Sequence, residues 1–445
     1  MSSKANVLPT ELLELIIDQI PLSSTQGRRS LCTCLFVSKL LFTRARSRLF
    51  RHVDLNLNQI ERTTAFRGLL EPEGDGEDLT LEGCIKSLKI IWPPFTQSVT
   101  LDITDEFDEE RFNFKDEDTT IILSVFARTG VLQALSLSFA HVERFPNFQA
   151  LTSIWGPIHE ICHSSSLENL SLELLWDVPY DAFDIWKLKK LSLIDVTTSN
   201  ESISSVSTNA HLNNLALPQT NSQLQSFAYT FQPHFTSQWL QPSSPFSYLH
   251  TLAIKFNNGS LCLGHPNSNF DTLLTLCSST LESLSIFLDS GTPIFEHYPH
   301  SLLNLKALRA LKFTVYPIIS PLLSIGDDDE PWTVFGQTCD VVESLKTLKK
   351  APDNLKSIEV KLLGRPGLAS QPWFKNDDEW KTLGDVLVES QFMLVVKIRV
   401  FLVAHMPLKG KDLAVKVPSW KPFLEIWKKK YSTILMELGG NENWR

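Results

Sequence analysis

The chain has 445 residues, of which 43% are apolar and 10% aromatic, and its formal net charge is −9. This length and apolar content allow a large folded core and exclude a disordered protein. An acidic chain also argues against a nucleic-acid binder with a broad basic face. Residues 1–51 carry eight Lys or Arg and three acids, a charge of +5, which leaves −14 for the remainder. A basic head on an acidic body predicts two parts with different roles.

The cysteines and apolar stretches indicate where the protein works. Seven cysteines are scattered without the paired spacing of a disulfide framework or a zinc site. The N-terminal residues lack the apolar segment of a signal peptide. The longest apolar stretch, residues 392–408, is interrupted by Lys397 and Arg399, unlike a membrane span. We therefore expect a reduced protein of the cytoplasm and/or the nucleus, without a membrane partner.

Residues 8–21 have the pattern of an amphipathic helix with a wide apolar stripe. The apolar residues at helical spacing are Leu8, Leu12, Leu13, Leu15, Ile16, Ile17 and Ile20. Pro9 suits a first helical turn, and Pro21 ends the helix. A stripe this wide predicts that the helix covers its own core and a second surface.

The next segment predicts a polar loop at Ser23–Arg29, followed by apolar residues at helical spacing such as Leu31, Leu35 and Phe42. The arginines at positions 44, 46, 48 and 51 give it a basic face, which suits an acidic partner. Three short helices in about fifty residues make a marginal core. A permanent partner would complete it.

These two motifs, in this order and at this distance, resemble the F-box family over residues 7–52. The matching residues are Leu8-Pro9, Glu11-Leu12-Leu13, Ile16-Ile17, Ile20-Pro21, Val37-Ser38-Lys39 and Leu49-Phe50. Leu41 stands where the family usually has Trp. The resemblance implies a three-helix F-box domain, residues 1–52, that binds a Skp-family adaptor and through it a cullin–RING scaffold. The adaptor-binding residues it implies are Leu8, Pro9, Leu12, Leu13, Ile16, Ile20, Pro21, Val37, Ser38, Lys39, Leu41 and Leu49. The alternative for the apolar members is that they form the domain's own core.

A second domain is predicted at residues 53–445, where the phrase apolar-x-x-apolar-x-apolar recurs. Ten copies begin at residues 85, 132, 167, 188, 212, 249, 281, 308, 355 and 395. The phrase is similar to that of leucine-rich repeats, in which a short strand points alternate side chains into a shared core. A weaker copy, residues 224–229, leaves open whether it forms a strand. Short helices are expected before several phrases, at residues 121–130, 156–166 and 271–280.

The remaining segments complete the layout. Acidic runs at residues 71–78, 102–118 and 325–331, and a Ser/Thr-rich run at 196–209, read as surface insertions. A helix at 376–390, a strand at 395–403 and an amphipathic helix at 420–438 follow, the last covering the open end of the stack. The predicted fold is an α/β solenoid: an N-terminal three-helix F-box, an irregular leucine-rich-repeat-like solenoid and a C-terminal capping helix. This layout resembles the expanded F-box families of mushroom-forming fungi.

Residues 159–163, His-Glu-Ile-Cys-His, match the H-E-x-x-H signature of zinc peptidases. A catalytic zinc also needs a third ligand and an open position, and the sequence offers no convincing third ligand. Gly156-Pro157 and three following serines predict a helix of about two turns with partly exposed histidines, in the slot that other repeats fill with ordinary helices. We expect a chance match, no metal site, no cofactor and no enzymatic activity. A zinc hydrolase stays the third hypothesis.

The leading functional hypothesis is a substrate-recognition subunit of an SCF-type cullin–RING ubiquitin ligase. In this hypothesis the F-box binds the adaptor, and the repeats display an unidentified target protein on their concave strand face. The second hypothesis is an F-box and repeat scaffold with no ligase role. Co-purification of a cullin would separate the two.

Overall fold

The computed structural model describes residues 9–70, 81–92, 117–139, 152–179, 182, 184–199, 224–231, 240, 244–256, 268–288, 304–315, 354–364, 385, 397–404 and 435–440. Within these residues helices accompany strands that pair in parallel, which is the α/β class. The chain forms two compact units, Met1–Leu215 and Ala216–Arg445. The predicted domain boundary between residues 52 and 53 stays a prediction.

Seven helices and twelve strands occur in the described residues. The helices are Thr10–Gln19 (α1), Thr25–Cys34 (α2), Lys39–Leu49 (α3), Ile60–Leu70 (α4), Glu117–Thr129 (α5), Thr152–His163 (α6) and Ser268–Leu276 (α7). The strands are His52–Asn56 (β1), Ser87–Trp92 (β2), Ala134–Phe139 (β3), Asn169–Pro179 (β4), Lys190–Ser199 (β5), Ser226–Phe231 (β6), Thr251–Phe256 (β7), Ser283–Leu288 (β8), Ala310–Val315 (β9), Ser357–Gly364 (β10), Lys397–Ala404 (β11) and Leu435–Gly440 (β12). In the first unit β1 to β5 pair in sequence order, and in the second unit β6 to β12 do the same.

The strands form at the predicted phrases. Nine of the ten phrases become strands that begin at the third phrase residue, as Ser87 does in residues 85–90. The phrase at 212–217 lies outside the described residues. Side chains alternate across a strand, so phrase positions four and six share one face. Leu88 and Ile90 show the result, since both are fully buried.

Two further strands were not predicted firmly. The open phrase at 224–229 forms β6, which also begins at the third phrase residue. β1 lies in a copy of the phrase that the sequence interpretation missed, Phe50-x-x-Val53-x-Leu55. The copy was missed because Phe50 was assigned to the end of the F-box. The repeat therefore begins directly after α3.

The same backbone hydrogen bonds join successive phrases. The carbonyl at phrase position two accepts the N–H groups at positions two and three of the next phrase. For example, Lys86 O accepts from Gln133 N at 2.9 Å and from Ala134 N at 3.0 Å. The second unit has the same arrangement at His250 O, which accepts from Glu282 N and Ser283 N, both at 2.9 Å. Each phrase thus sits in one fixed register on its predecessor, an arrangement compatible with a solenoid.

A polar side chain just before the phrase repeats this pattern. Ser166 Oγ donates to Gly130 O and Leu132 O at 2.5 and 2.7 Å. Thr280 Oγ1 lies in the equivalent place in the second unit, 3.1 Å from Ser247 O and 3.0 Å from Leu249 O. These hydroxyls satisfy turn carbonyls that the strand ladder leaves over.

The expected helices are present, with changed bounds. The segments at 121–130 and 271–280 form α5 and α7. The predicted two-turn helix after Gly156-Pro157 is wrong in its start, because α6 begins at Thr152 and contains Pro157. Pro157 is the sixth residue of α6, beyond the first turn, so its missing N–H costs the helix one backbone hydrogen bond. The burial of Ile154 and Trp155 favours the longer helix in spite of this cost.

Two predicted insertions are shorter than expected where the structure describes them. Residues 117–118 of the acidic run begin α5, and residues 196–199 of the Ser/Thr-rich run belong to β5. Asp118 explains the first change, because its carboxylate accepts from Thr64 Oγ1 at 2.6 Å and Arg67 Nη1 at 2.8 Å. These bonds tie α5 to α4, and they hold the pKa of Asp118 below its ordinary value.

The predicted C-terminal helix at 420–438 is wrong over its last four residues. Leu435–Gly440 is a strand that pairs in parallel with Arg399–Ala404 of β11. A short apolar run fits either period, and the unpaired edge of β11 supplies backbone partners that the sequence pattern does not contain. Residues 420–434 lie outside the described residues, as does the helix predicted at 376–390 except for Asp385.

β4 and β5 share a backbone irregularity near the middle of each strand. Leu174 and Asp195 have φ of 61° and 53°, and both occupy the eighth position counted from the start of their phrase. The register of the pair shifts between Leu175 and Val178. Residues other than glycine rarely adopt this left-handed backbone conformation, which costs about 1–3 kcal/mol per residue. The surrounding strand pairing holds both residues there.

Candidate functional site

The three N-terminal helices share a small core made of one buried residue from each. Ile17 of α1, Leu31 of α2 and Ala45 of α3 are almost fully enclosed. Around them pack the partly buried residues Ile20, Leu22, Cys34, Leu35, Leu41 and Leu49. The core is small, as the number of residues predicts.

Local signals fix where α2 and α3 begin. Ser24 caps α2 by accepting from Gly27 N at 3.0 Å, and Ser38 caps α3 by accepting from Leu41 N at 3.3 Å. The predicted loop at Ser23–Arg29 is therefore wrong from residue 25 onward. Its polar residues and glycine read as a loop, whereas Ser24 followed by a polar first turn is also a helix start.

Polar contacts attach α1 to α3. Two nitrogens of the Arg44 guanidinium, Nε and Nη2, donate to the Asp18 carboxylate, with Nε 2.9 Å from Oδ1. Arg48 donates to the carbonyl of Ile17 at the end of α1. The hydrogen bond from Arg44 holds the pKa of Asp18 below its ordinary value. Arg46 lies with its guanidinium carbon 5.6 Å from the centroid of the Phe42 ring.

This arrangement changes the interpretation of the basic face. Arg44 and Arg48 are used inside the three-helix segment, so the charge presented outward is smaller than the sequence count indicates. Arg51 holds the segment to the first repeat, since its carbonyl accepts from Lys86 N at 2.9 Å and Ser87 N at 3.0 Å. The attraction of this face to an acidic partner stays a prediction.

Large apolar side chains remain exposed on α1 and on the turn between α2 and α3. Leu12, Leu15 and Ile16 are 45%, 56% and 54% exposed, and their spacing of three and four places them on one face of α1. In the turn, Phe36 and Val37 are 89% and 64% exposed. We call these five residues the apolar surface. These side chains are accessible to a second molecule, and the prediction that α1 covers a second surface stays a prediction.

The structure divides the predicted adaptor-binding residues into two groups. Pro9, Leu12, Ile16, Pro21, Val37, Ser38 and Lys39 are exposed, whereas Leu13, Ile20, Leu41 and Leu49 are half-buried. Ile20, Leu41 and Leu49 pack on the three-helix core, so they have a structural role in any case. Leu8 lies outside the described residues. No observation tests whether any of them contacts an adaptor.

Two members of the apolar surface were absent from the predicted set. Leu15 stood in the apolar stripe of α1 and differs from Leu12 by one turn, so its periodicity was a usable signal. Phe36 had no periodic signal, because it lies in the turn before the cap residue Ser38.

The strand face opposite the buried phrase positions carries phrase positions three and five. In β3, β4 and β5 position five is serine, at Ser136, Ser171 and Ser192. In the second unit charged residues pair across strands at this position, where Lys312 Nζ lies 3.1 Å from Glu359 Oε1. This face therefore carries small polar serines in three strands of the first unit and an ion pair in the second unit.

The H-E-x-x-H histidines lie in the last turn of α6. His159 is half-buried and His163 is exposed, as the sequence interpretation expected. Their ring centroids are 4.1 Å apart, and His163 Nδ1 lies 2.9 Å from His159 O. Within the described residues no cluster of three or more His, Cys, Asp or Glu side chains is placed to hold a metal ion.

The cysteines that the structure describes are free thiols. Cys162 and Cys277 are buried, and burial raises the pKa of each thiol to about 12. They act as small apolar residues.

Comparison with models of known protein families and with curated protein sequences finds no match for this chain. In the described residues, no helix is both long enough and apolar enough to cross a bilayer.

Proposed function

We propose that this protein is a substrate-recognition subunit of an SCF-type cullin–RING ubiquitin ligase. Its N-terminal helices are F-box helices that bind a Skp-family adaptor, and its repeated strands are leucine-rich-repeat-like units that bind a target protein. The protein catalyses no reaction itself. It raises the concentration of the target near the conjugating enzyme that the scaffold carries.

The observation that supports this proposal best is the apolar surface on a segment whose sequence resembles an F-box. Exposed apolar side chains that are grouped on one helix face are candidates for an interaction site, whereas single exposed apolar residues are ordinary. Leu12 and Ile16 are both roughly half exposed and belong to the matching residues. Burial of such side chains at the centre of an interface is the usual source of binding energy.

The test is co-expression with a Skp-family adaptor, followed by size exclusion to detect a one-to-one complex. The variant Leu12→Ala/Ile16→Ala removes two exposed side chains that do not form the three-helix core. Each truncation gives up about 1.4 kcal/mol of apolar burial, so we expect the dissociation constant to rise about 100-fold.

A matched control comes from α4. Ile60 and Leu69 are 74% and 54% exposed and lie outside the F-box-like segment. The variant Ile60→Ala/Leu69→Ala loses the same kind of surface, and its complex should be unchanged. Folded wild-type protein that forms no complex with the adaptor would refute the proposal.

The second candidate is a scaffold that binds the adaptor or another protein without recruiting a cullin. The observation in its favour is Leu41, which stands in place of the family's usual Trp and packs on the core of the three helices. A smaller side chain there leaves less surface for an adaptor. Cullin that co-purifies with the adaptor complex would support the ligase, and adaptor without cullin would support the scaffold.

A further inference from the structure

The paired histidines at the end of α6 form an arrangement that the proposed function does not use. Residues four apart on a helix lie one above the other on the same face. His159 and His163 follow this rule, with ring centroids 4.1 Å apart and ring planes inclined by 31°. His163 is exposed, so ions in solution reach the pair.

One hydrogen bond favours a single tautomer of the neutral His163 ring. Its Nδ1 lies 2.9 Å from the carbonyl oxygen of His159. A carbonyl accepts only, so Nδ1 carries the proton and donates it, and in the neutral ring Nε2 then carries the lone pair. Metal-binding histidines are commonly held this way, with the nitrogen that does not bind the metal donating to a backbone carbonyl.

The position of His159 completes the arrangement. An imidazole has two nitrogens, and a metal takes one of them, so another interaction at the second nitrogen is compatible with binding. Glu160 is the next residue and lies about 100° around the helix from His159. The pair therefore places two imidazole rings next to each other on one face of the helix.

We propose that His159 and His163 form a two-histidine surface site for a divalent transition metal. Imidazole ligands suit Cu²⁺, Ni²⁺ and Zn²⁺, and the general order of affinity places Cu²⁺ first. A metal held by both rings links two successive turns and fixes the C-terminal end of α6, where the chain leads into β4. This proposal is independent of adaptor binding, and it assigns no hydrolytic activity to the motif.

The test is titration of the full metal-free chain with Cu²⁺ at neutral pH, with calorimetry to count equivalents and electron paramagnetic resonance to count nitrogen ligands. The same titration is run in a Cys32→Ser/Cys34→Ser variant, because exposed thiols also bind copper. We expect a first equivalent with two imidazole nitrogens. His159→Ala and His163→Ala should each weaken that equivalent by more than about 10-fold, which is the lower end of what loss of a mere supporting partner costs.

A matched control keeps the histidine count and changes only the spacing. The variant His163→Ala/Ser165→His retains all eleven histidines but moves the second ring into the turn after α6, six residues from His159 and outside the i, i+4 spacing of a helix face. It should bind like His163→Ala, while His52→Ala on β1 should bind like the wild type.

The resonance spectrum of the wild type decides the matter even where a variant folds poorly. A first equivalent with a single imidazole nitrogen would overturn the proposal. An unchanged first equivalent in folded His159→Ala or in the respaced variant would overturn it as well. Loss of the equivalent in all three pair variants, with two nitrogens in the wild type, would establish the site.

Discussion

The packing around Gly27 allows a sharp test of the three-helix segment. A Cβ on Gly27 would lie 2.0 Å from the carbonyl oxygen of Pro21 and 2.9 Å from Ser24 Oγ. The first of these atoms is backbone, so a flexible side chain cannot relieve the overlap. The start of α2 therefore lies very close to the backbone of the loop that follows α1. A residue with a side chain does not fit at position 27 unless the backbone moves.

The expected magnitude is a difference of two opposing effects. Gly to Ala inside a helix normally stabilises by about 1 kcal/mol. Forcing an extra methyl group into a packed site costs typically about 1–3 kcal/mol, and we take the upper value because the obstacle is backbone. Gly27→Ala should thus destabilise the segment by about 2 kcal/mol.

Gly68 provides the matched control. It is exposed in α4, and no atom lies within 4 Å of the Cβ that a substitution would add. Gly68→Ala should therefore stabilise its helix by about 0.4–1 kcal/mol, the ordinary effect at a compatible site. The same chemical change is predicted to have opposite signs at the two positions.

The assay is native-state hydrogen exchange of peptides from α2 and α4, because a chain of two units is not expected to unfold in one step. A loss of 2 kcal/mol corresponds to exchange about 30-fold faster in Thr25–Cys34. Exchange of α2 that is unchanged or slower in Gly27→Ala would refute the close approach.

Two further predictions concern polar contacts. Asp18→Asn should remove the ion pair with Arg44 and cost about 0.5–1 kcal/mol, a modest value because the two side chains are 31% and 42% exposed. The pKa of Asp18 is lowered in the folded state, so the pair's stabilisation is present above the unfolded value of about 3.9 and is lost as pH falls toward the lowered folded pKa. Urea unfolding of wild type and Asp18→Asn across acidic pH should therefore converge at low pH, and a constant difference would contradict this reasoning. Thr280→Val should destabilise the second unit by about 1 kcal/mol or more, since two turn carbonyls lose their donor. Thr280→Ser keeps the hydroxyl and should show a smaller change in the urea midpoint, whereas a Thr280→Val midpoint equal to that of the wild type would contradict the role of the hydroxyl.

The strands were predictable because each phrase encodes its own register. Apolar residues at positions one, four and six are buried in β2 and β3, as in Ile85, Leu88 and Ile90. Positions four and six are two apart, which is the period of a strand, and position one lies in the turn just before the strand begins. Every strand in turn meets the same backbone partners, so the local pattern and the pairing agree.

The errors occur where tertiary contacts override a local pattern. Residues 435–438 fit a helical period, yet they pair with the edge of β11. Thr25 was assigned to a loop because the run of polar residues conceals a cap at Ser24. In the first case the partner strand is distant in sequence, and in the second the helix start depends on one side-chain hydrogen bond. Neither produces a periodic pattern in the sequence.

Most residues of the candidate site could be predicted from the sequence, but which of them are buried and which are exposed could not. The sequence pattern identified the apolar residues of α1 but could not say which enter the core. The structure buries Ile17 and leaves Leu12 and Ile16 exposed, because the direction of α1 is set by contacts with α3. Those contacts involve Arg44 and Arg48, 26 and 31 residues away from their partners.

The polar attachment of α1 has a consequence for binding. Asp18–Arg44 and Arg48–Ile17 O hold α1 on α3 alongside the single buried residue Ile17, so α1 does not need its exposed leucines to stay in place. Exposed apolar side chains gain little from folding and most from burial against a second molecule. Leu12→Ala/Ile16→Ala should therefore leave the exchange of α1 amides close to that of the wild type while it weakens adaptor binding. Ile17→Ala removes the buried residue of α1, so it should speed the exchange of α1 amides. The loss of α1 structure should then weaken adaptor binding. A variant of the exposed pair that unfolds α1 would show that these residues serve the fold, and the argument for a docking surface would then fail.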